Sequence, residues 1–338
     1  MHYNFPVLAL LLAFCDTSWV EVRLFSGVDL ASAVVRAGSV FHIRAFGDSL
    51  LVNGEVKKEF SVWGEDEKEI SVLDDQLLRT YTGLITVQSR NGRLIITNRL
   101  RLQDYLASVV AAEIGQAPDQ ALMAQAVLSR TLAHKHAARF GPGFADNEYF
   151  QVYHGTGALT DECLRAVKAT EDQVLTYKGK LVEVFFHGAC GGHTALASQV
   201  WSGHDLPYIA FVVDSPCVLD TSQNWRKSVS RHYLEKRFGS GDCPEVFKRD
   251  SSGRASLISL GGARIKATVF RKKLGLRSTM ITDIVCQGDS VVITGRGYGH
   301  GIGMCQTGAA LRALAGADYK QILEFYYPGA VITQLHGD

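Results

Sequence analysis

The sequence predicts an α+β fold, in which a helix pair packs against mixed or antiparallel β-structure and follows an N-terminal β-rich region. Two patterns carry this prediction. Over residues 21–97, short runs alternate apolar and polar side chains, which is the period of a strand with one buried face. From about residue 101, apolar side chains recur three and four positions apart, which is the period of an amphipathic helix. With 338 residues, the chain can form one large unit or two.

The β-rich region contains one clear hairpin signal. Residues 86–88 and 94–96 are strand-like, and Asn91-Gly92 between them suits the left-handed conformations of a tight turn. Residues 1–20 precede this region and resemble a signal peptide, because the apolar run 7–14 is too short to span a bilayer. No lysine or arginine precedes that run, and a buried N-terminal strand is the alternative.

Two helices are predicted at about residues 101–114 and 119–138. The apolar stripe of the first helix consists of Leu102, Tyr105, Leu106, Val109 and Val110. Glu113 continues the same face, since it lies three and four residues after the last two members. A carboxylate in line with an apolar stripe is partly desolvated, which raises its pKa toward the range of a general acid. The alternative is a charged side chain that simply extends to water.

The later elements alternate between helix and strand. The patterns predict a helix followed by a strand over 162–176, a strand at 181–186, a surface helix followed by loops in the polar segment 227–255, a strand at 291–294, and helices at 304–315 and 319–326. The glycine-rich block that begins at residue 295 lacks the ending and spacing of nucleotide-binding loops. We therefore interpret it as a backbone loop that does not bind a nucleotide.

Composition excludes some classes of partner. The 35 Lys+Arg residues balance 34 Asp+Glu residues, and the chain has no long basic tract, so nucleic acid is not an expected partner. Neutral sugars, which are recognised by hydrogen bonds and aromatic faces, remain compatible. The seven cysteines are scattered without a Cys-x-x-Cys pair, which is not the pattern of a disulfide scaffold.

Four motifs resemble, in the same order, those of the stage II sporulation protein D (SpoIID/LytB) family of bacterial lytic transglycosylases. The run from Asn98 through Glu113 to Thr131 resembles the family's catalytic helix pair. The other three are Gln-Val-Tyr-His-Gly at 151–155, Phe-His-Gly-Ala-Cys-Gly-Gly-His-Thr at 186–194, and the glycine-rich block at 295–309. The resemblance implies that residues 98–338 form the catalytic domain.

The resemblance implies a peptidoglycan lytic transglycosylase that cleaves the MurNAc–GlcNAc bond, with glycan lacking stem peptides as a further expectation. In that reaction the C6 hydroxyl of the muramic acid attacks C1, so one carboxyl group can act first as acid and then as base. Glu113 is the predicted catalytic residue. A hydrolase would need a second carboxylate about 5–10 Å away, and the candidates are Asp104, Asp119, Glu148 and Glu162.

The resemblance also implies a set of substrate-binding residues: Arg130, Gln151, Tyr153, His300 and Gln306. For each of them, a structural hydrogen bond or packing contact is the alternative. The chain departs from the family at two places, with Phe150 where many relatives have cysteine and Ile114 where methionine is usual. Both changes are apolar and leave the predicted acid in place.

A metal site is predicted near the third motif. The candidate zinc ligands are His187, Cys190 and His193, with Cys217 to complete a tetrahedral set. The resemblance places His187 and His193 in a stretch where some family members carry zinc. A Cys190–Cys217 disulfide or unmodified side chains are the alternatives. We expect such a zinc ion to be structural, with no cofactor required for the chemistry. A zinc amidase or peptidase built on these ligands would lack the glutamate of the His-Glu-x-x-His arrangement.

The implied partners are peptidoglycan glycan strands, with a cell-wall amidase or division and sporulation proteins as further expectations. The implied location is outside the cytoplasm, in the periplasm or on the outer face of the cytoplasmic membrane. A function of a different class is a catalytically silent glycan-binding or scaffold protein of the same fold. Glu113 favours the enzyme, because the loss of this residue would have indicated the scaffold.

Overall fold

The computed structural model describes residues 18–63, 67–72, 76–141, 143–147, 150–201 and 204–335. Most of the predicted signal peptide lies outside these residues, as does Glu148. The structure contains 29% helix and 37% strand, and most strands lie in antiparallel sheets. This confirms the predicted α+β class. Within the described residues, no helix is both long enough and apolar enough to cross a membrane.

The chain divides into two compact units, each made of two segments. The first unit contains Met1–Glu113 and Leu132–Leu159, and the second contains Ile114–Thr131 and Thr160–Asp338. The strands of the first unit are β1 (Trp19–Leu24), β2 (Ser32–Ala37), β3 (Ser39–Phe46), β4 (Ser49–Val52), β5 (Glu55–Lys57), β6 (Glu59–Val62), β7 (Lys68–Val72), β8 (Leu77–Tyr81), β9 (Leu84–Arg90), β10 (Arg93–Arg101) and β11 (Gly143–Ala145).

These strands form two sheets, with the orders β11-β1-β10-β9-β6 and β5-β4-β3-β2-β7-β8. The pairs are antiparallel except for β1 with β11. Asn91 and Gly92 join β9 to β10 with φ of 51° and 72°, the left-handed conformations that a two-residue hairpin turn requires. The predicted hairpin is therefore confirmed.

The predicted helix pair is also confirmed, with its bounds within two residues. Helix α1 spans Leu102–Ile114 and α2 spans Asp119–Phe140. The whole apolar stripe of α1 is buried. Gly115 ends α1 at a φ of 64°, a left-handed conformation that is common just after a helix. The Pro118 carbonyl accepts the first hydrogen bonds of α2, from the backbone N–H groups of Ala121 and Leu122.

The second unit mixes short helices with small sheets. Its remaining helices are α3 (Asp161–Ala169), α4 (Ala197–Val200), α5 (Ser215–Leu219), α6 (Arg231–Phe238), α7 (Ala267–Leu274), α8 (Gln306–Leu314) and α9 (Tyr319–Tyr326), with a 3₁₀ turn at Thr221–Gln223. Its strands are β12 (Gln173–Tyr177), β13 (Lys180–Leu181), β14 (Phe186–His187), β15 (Asn224–Ser230), β16 (Glu245–Arg249), β17 (Ala255–Leu260), β18 (Ala263–Lys266), β19 (Ile281–Gln287), β20 (Ser290–Arg296), β21 (Met304–Cys305) and β22 (Val331–Gln334).

Three of its sheets are antiparallel, with the orders β13-β12-β22, β15-β20-β19 and β16-β17-β18, while β14 and β21 pair in parallel. In this parallel pair, Phe186 lies opposite Met304 and His187 lies opposite Cys305. The third and fourth sequence motifs therefore lie side by side.

The prediction for residues 227–255 was wrong in part. The segment contains helix α6, but strands β15, β16 and the start of β17 take the place of the predicted loops. Most side chains of β15 and β16 are at least partly exposed and polar, so the sequence shows no clean alternation there. A disulfide links Cys243, just before β16, to Cys286 on β19. Helix α8 begins at Gln306 and not at residue 304, because Met304 and Cys305 pair with β14.

Candidate active site

Glu113 lies in the last turn of α1, where its carboxylate meets the second sequence motif. Its Oε1 accepts a hydrogen bond of 2.7 Å from the backbone N–H of Val152. Burial raises the pKa of Glu113 to about 7, and the Val152 hydrogen bond opposes this rise by stabilising the charged form. The predicted desolvated carboxyl group is therefore present, and near neutral pH it is close to half protonated.

Two anchors fix the segment that carries Val152. Before it, the buried Asp146 carboxylate accepts hydrogen bonds from the backbone N–H of Phe25 (2.6 Å) and from Arg79 Nη1 (2.8 Å). After it, Gly155 has a φ of 77°, and a Cβ there would lie 1.8 Å from the Thr80 carbonyl oxygen. Only glycine fits this close approach. The N–H that orients Glu113 is thus held between two fixed points of the first unit.

Tyr153 and Gln151 are both buried in the first unit. The Tyr153 hydroxyl donates to Asn98 Oδ1 at 2.5 Å, and Asn98 Nδ2 donates to a backbone carbonyl of the β8–β9 connection at 2.8 Å. The Tyr153 ring packs on Tyr105 and Tyr81, with centroid distances of 5.3 and 5.8 Å. Burial raises the pKa of Tyr105, and the nearby charge of Glu113 raises it further. Tyr153 therefore supports α1 and the Val152 segment from inside.

Arg130 and Gln306 are buried in the second unit. Arg130 donates to the Val167 carbonyl at 3.0 Å and to Thr170 Oγ1 at 3.4 Å, which ties α2 to α3. Burial lowers its pKa to about 10, so the guanidinium stays charged at neutral pH. Gln306 Nε2 donates to Gln125 Oε1 at 3.3 Å. These hydrogen bonds are structural, and direct contact of either residue with a sugar stays a prediction.

His300 has a more open setting in the second unit. Its Nδ1 accepts a hydrogen bond of 3.0 Å from the Ile302 N–H, which assigns the proton of the neutral ring to Nε2. Burial, followed by the charges of Arg271 and Arg254, lowers the pKa of His300 to about 4. The ring lies 5.0 Å from that of Trp201, whose side chain is 41% exposed. A neutral histidine therefore accompanies an exposed aromatic face.

The predicted zinc ligands separate into two groups. His187 Nδ1 lies 3.1 Å from the Ile302 carbonyl oxygen, and the ring of His193 stacks on Phe211 at 5.6 Å. Burial, as the largest cause, holds the pKa of His187 well below its ordinary value, so this ring is neutral. Cys190 and Cys217, in contrast, are brought together.

Asp214 and Cys305 complete this group, and the ligand atoms of the four residues all lie within 4.8 Å of one another. Sequence reasoning missed both residues as members of the set. Asp214 lies three positions before Cys217, and Cys305 lies inside the fourth motif, but no finger-like spacing connects either of them to Cys190. We call Cys190, Asp214, Cys217 and Cys305 the cysteine cluster.

Of the four candidate second carboxylates, the structure describes Asp104, Asp119 and Glu162. Asp104 is nine residues before Glu113 on α1, which places it about 13 Å away along the axis and on the opposite face. That separation exceeds the range of glycosidase pairs. Asp119 is exposed in the first turn of α2, and Glu162 is exposed and pairs with Arg165 at 2.9 Å. The pKa of Glu162 is lowered, mainly by a hydrogen bond from its own backbone and next by the hydrogen bond from Arg165.

The chain is similar in sequence to several known proteins. A family model described as Stage II sporulation protein (SpoIID) matches residues 90–177, a range that includes Glu113 and Val152. An uncharacterized protein of Brachyspira hyodysenteriae is 32% identical over 267 residues, which cover 75% of this chain and 72% of that protein. Stage II sporulation protein D of Bacillus subtilis is 28% identical over 266 residues, covering 69% and 74%.

The amidase enhancer of Bacillus subtilis is 28% identical over 272 residues, which cover 63% of this chain and 38% of that longer protein. These matches confirm the resemblance that the four motifs carry, and they support a role related to the cell wall. From the matched family model and the extent of these alignments, the chain belongs to the stage II sporulation protein D (SpoIID) family.

Proposed function

We propose that this protein is a peptidoglycan lytic transglycosylase, which cleaves the MurNAc–GlcNAc bond and leaves 1,6-anhydro-MurNAc ends. The observation that supports this proposal most is the state of Glu113. Its pKa of about 7 makes it both a competent acid and a competent base at neutral pH, and the Val152 N–H fixes its orientation. One such carboxyl group suffices when the substrate supplies its own nucleophile.

The reaction balances with Glu113 as the catalytic residue. The protonated carboxyl group donates its proton to the glycosidic oxygen while the bond from that oxygen to C1 of the MurNAc unit breaks. The carboxylate then takes the proton of the C6 hydroxyl, whose oxygen bonds to C1 and closes the anhydro ring. Glu113 ends protonated, as it began, and no water is consumed. The intramolecular hydroxyl has a high effective concentration, which compensates for the missing second carboxylate.

The Val152 N–H has a defined part in this cycle. Because this N–H donates a hydrogen bond to Oε1 of Glu113, we assign proton transfer to Oε2. It also stabilises the carboxylate that exists between the two proton transfers, because a hydrogen bond to a charged acceptor is stronger than one to a neutral acceptor. Asp146, Gly155 and Tyr153 act as positioning residues, since they hold the segment that carries this N–H.

We assign sugar contact in the second unit to His300 and Trp201. The exposed Trp201 ring offers a flat apolar surface on which a pyranose can stack. The adjacent neutral His300 offers a polar ring that can orient a sugar hydroxyl. Arg130, Gln151 and Gln306 are fully or almost fully buried, so we assign each of them a structural role within its own unit.

The proposal includes export to the periplasm or the outer face of the cytoplasmic membrane, where peptidoglycan lies. The Cys243–Cys286 disulfide supports an oxidising compartment. The likeness to a protein named amidase enhancer supports partners that act on the cell wall, an amidase among them. Removal of stem peptides by an amidase would supply the glycan that we propose as the substrate.

The test is digestion of purified, peptide-free glycan strands, with product masses measured before and after borohydride treatment. We expect ends that are lighter by one water than hydrolytic ends and that borohydride does not reduce. Reducible, hydrated ends would instead indicate a hydrolase with a second carboxylate. Intact strands that are nevertheless bound by the protein would indicate a silent glycan-binding scaffold.

A further inference from the structure

Three cysteines and one aspartate converge inside the second unit, in the cysteine cluster. Cys190 follows β14, Asp214 and Cys217 lie at the start of α5, and Cys305 ends β21. All four side chains are buried. The Sγ atoms of Cys217 and Cys305 are 3.8 Å apart, and Cys190 Sγ lies 3.5 Å from Asp214 Oδ2.

These two distances match the edges of a zinc tetrahedron. Zinc–sulfur bonds of about 2.3 Å at an angle of about 109° give a sulfur–sulfur edge of about 3.8 Å. With a zinc–oxygen bond of about 2.1 Å, the sulfur–oxygen edge is about 3.6 Å. A disulfide, in contrast, requires about 2.05 Å between its sulfurs. We infer that Cys190, Asp214, Cys217 and Cys305 bind one Zn²⁺ ion as a three-thiolate, one-carboxylate site.

Backbone donors support the thiolate form that a metal requires. The N–H of Cys190 lies 3.1 Å from Cys305 Sγ, and the N–H of Gly308 lies 3.2 Å from the same sulfur. The Gly192 N–H donates to Cys190 Sγ at 3.3 Å. Gly192 has a φ of 116°, and a Cβ there would lie 2.7 Å from Val218. The turn after Cys190 therefore needs glycine to deliver its N–H to the cluster.

The Asp214 carboxylate is oriented from outside the cluster. Tyr326 donates its hydroxyl to Oδ2 at 2.6 Å, and Arg312 Nη2 pairs with Oδ1 at 3.1 Å. Hydrogen bonds of this kind fix the direction of carboxylates that bind metals. Gly308 is packed so closely that a Cβ would lie 2.0 Å from Oδ2. The position of this oxygen is thus determined by several elements of the fold.

The charges around the cluster are also balanced for a divalent cation. Three thiolates and one carboxylate with Zn²⁺ would carry a net charge of −2 by simple counting of formal charges. Arg312 pairs with Asp214, and the buried guanidinium of Arg254 donates to the Cys190 carbonyl at 2.5 Å. These two cations offset that charge. Four protein ligands close the coordination sphere, so the site stabilises the fold and has no open position for catalysis.

The first experiment measures metal content of the full chain purified from zinc-supplemented culture. We expect about one zinc per chain by mass spectrometry. Competition with a chelator should show at least tenfold weaker binding for Cys190→Ser, Cys217→Ser and Cys305→Ser, and a smaller loss for Asp214→Asn. Cys163→Ser is the matched control, because Cys163 is a buried free cysteine of α3 outside the cluster. His193→Ala should likewise keep its zinc.

A second measurement covers the case in which cysteine variants do not fold. Wild-type protein stripped of zinc and loaded with Co²⁺ should show the ultraviolet thiolate-to-metal band and the visible bands of tetrahedral cobalt. A wild-type protein without zinc and without these bands overturns the inference. Peptide mapping that finds Cys190–Cys217 or Cys217–Cys305 disulfides overturns it as well, as does zinc that is lost with His193→Ala and kept with Cys305→Ser. None of these outcomes depends on glycan cleavage.

Discussion

Replacement of Glu113 by glutamine should change the stability of the protein in a pH-dependent way. Glutamine keeps the shape and still offers Oε1 to the Val152 N–H, but it does not ionise. The pKa of Glu113 is about 7 in the folded protein, against an ordinary value of 4.5, and burial is the cause. The folded state therefore holds this proton over a pH range in which the unfolded state has released it.

The raised pKa of Glu113 determines whether stability rises or falls with pH. Because the folded pKa is raised, the wild type is relatively most stable below pH 4.5 and loses stability as the pH rises toward 7, after which the loss levels off. At about 1.4 kcal/mol per unit, the shift corresponds to roughly 3 kcal/mol in total. Between pH 5 and pH 8.5, the wild type should lose about 2.5 kcal/mol relative to Glu113→Gln.

The assay is urea unfolding of both proteins across this pH range, with the difference between them plotted against pH. Subtraction removes the contributions of the other titrating groups. Glu69→Gln is the matched control, because it removes an exposed carboxylate from β7 in the same unit. That control should follow the wild type at every pH.

Activity should change in parallel. Loss of the acid should lower glycan cleavage by Glu113→Gln by about 10²- to 10⁴-fold or more. In the wild type, kcat/KM should fall about tenfold per pH unit above pH 7, since the first step needs the protonated carboxyl group. A wild type and a Glu113→Gln variant with the same pH dependence of stability would refute the desolvation argument. Equal cleavage rates would refute the catalytic assignment.

Three further predictions concern the surroundings of the site. Gly155→Ala should destabilise the first unit by more than about 2 kcal/mol in urea unfolding, whereas Gly141→Ala, at a φ of 86° with open space around it, should cost only about 1 kcal/mol; equal costs would contradict the proposed close contact. Tyr153→Phe should cost about 1–3 kcal/mol in the same assay, because Asn98 loses its buried donor; an unchanged midpoint would contradict this. Trp201→Ala should raise KM for glycan strands with little change in thermal stability, and an unchanged KM would remove Trp201 from the sugar surface.

Local patterns were predictable because they depend on neighbours in sequence. The bounds of α1 and α2 follow from apolar spacing and from Pro118 and Asp119, and the structure agrees within two residues. The Asn91-Gly92 turn follows from conformational preference in the same way. Glu113 was placed correctly on the buried face of α1, since helix geometry alone determines which face a residue shares.

Features that depend on pairing between strands far apart in the sequence were not predictable. Strand β15 pairs along its length with β20, and the paired residues are 60 to 72 positions apart in the chain. Its side chains are mostly polar and partly exposed, so nothing in residues 224–230 marks a strand until the partner is known. Helix α8 begins two residues later than predicted, because pairing with β14 holds Met304 and Cys305 in extended conformation.

The glycine-rich block is a sequence pattern that results from such a distant contact. A Cβ at Gly303 would lie 2.0 Å from the Phe185 carbonyl oxygen, and one at Gly297 would lie 2.6 Å from that of Ala189. The glycines therefore allow two backbones to touch, which explains a glycine pattern that fits no nucleotide-binding loop. The same contact sets the parallel register that carries Cys305 toward Cys190. A slip of one residue would turn Cys305 to the other face, so the ligand set depends on this register more than on the spacing of cysteines.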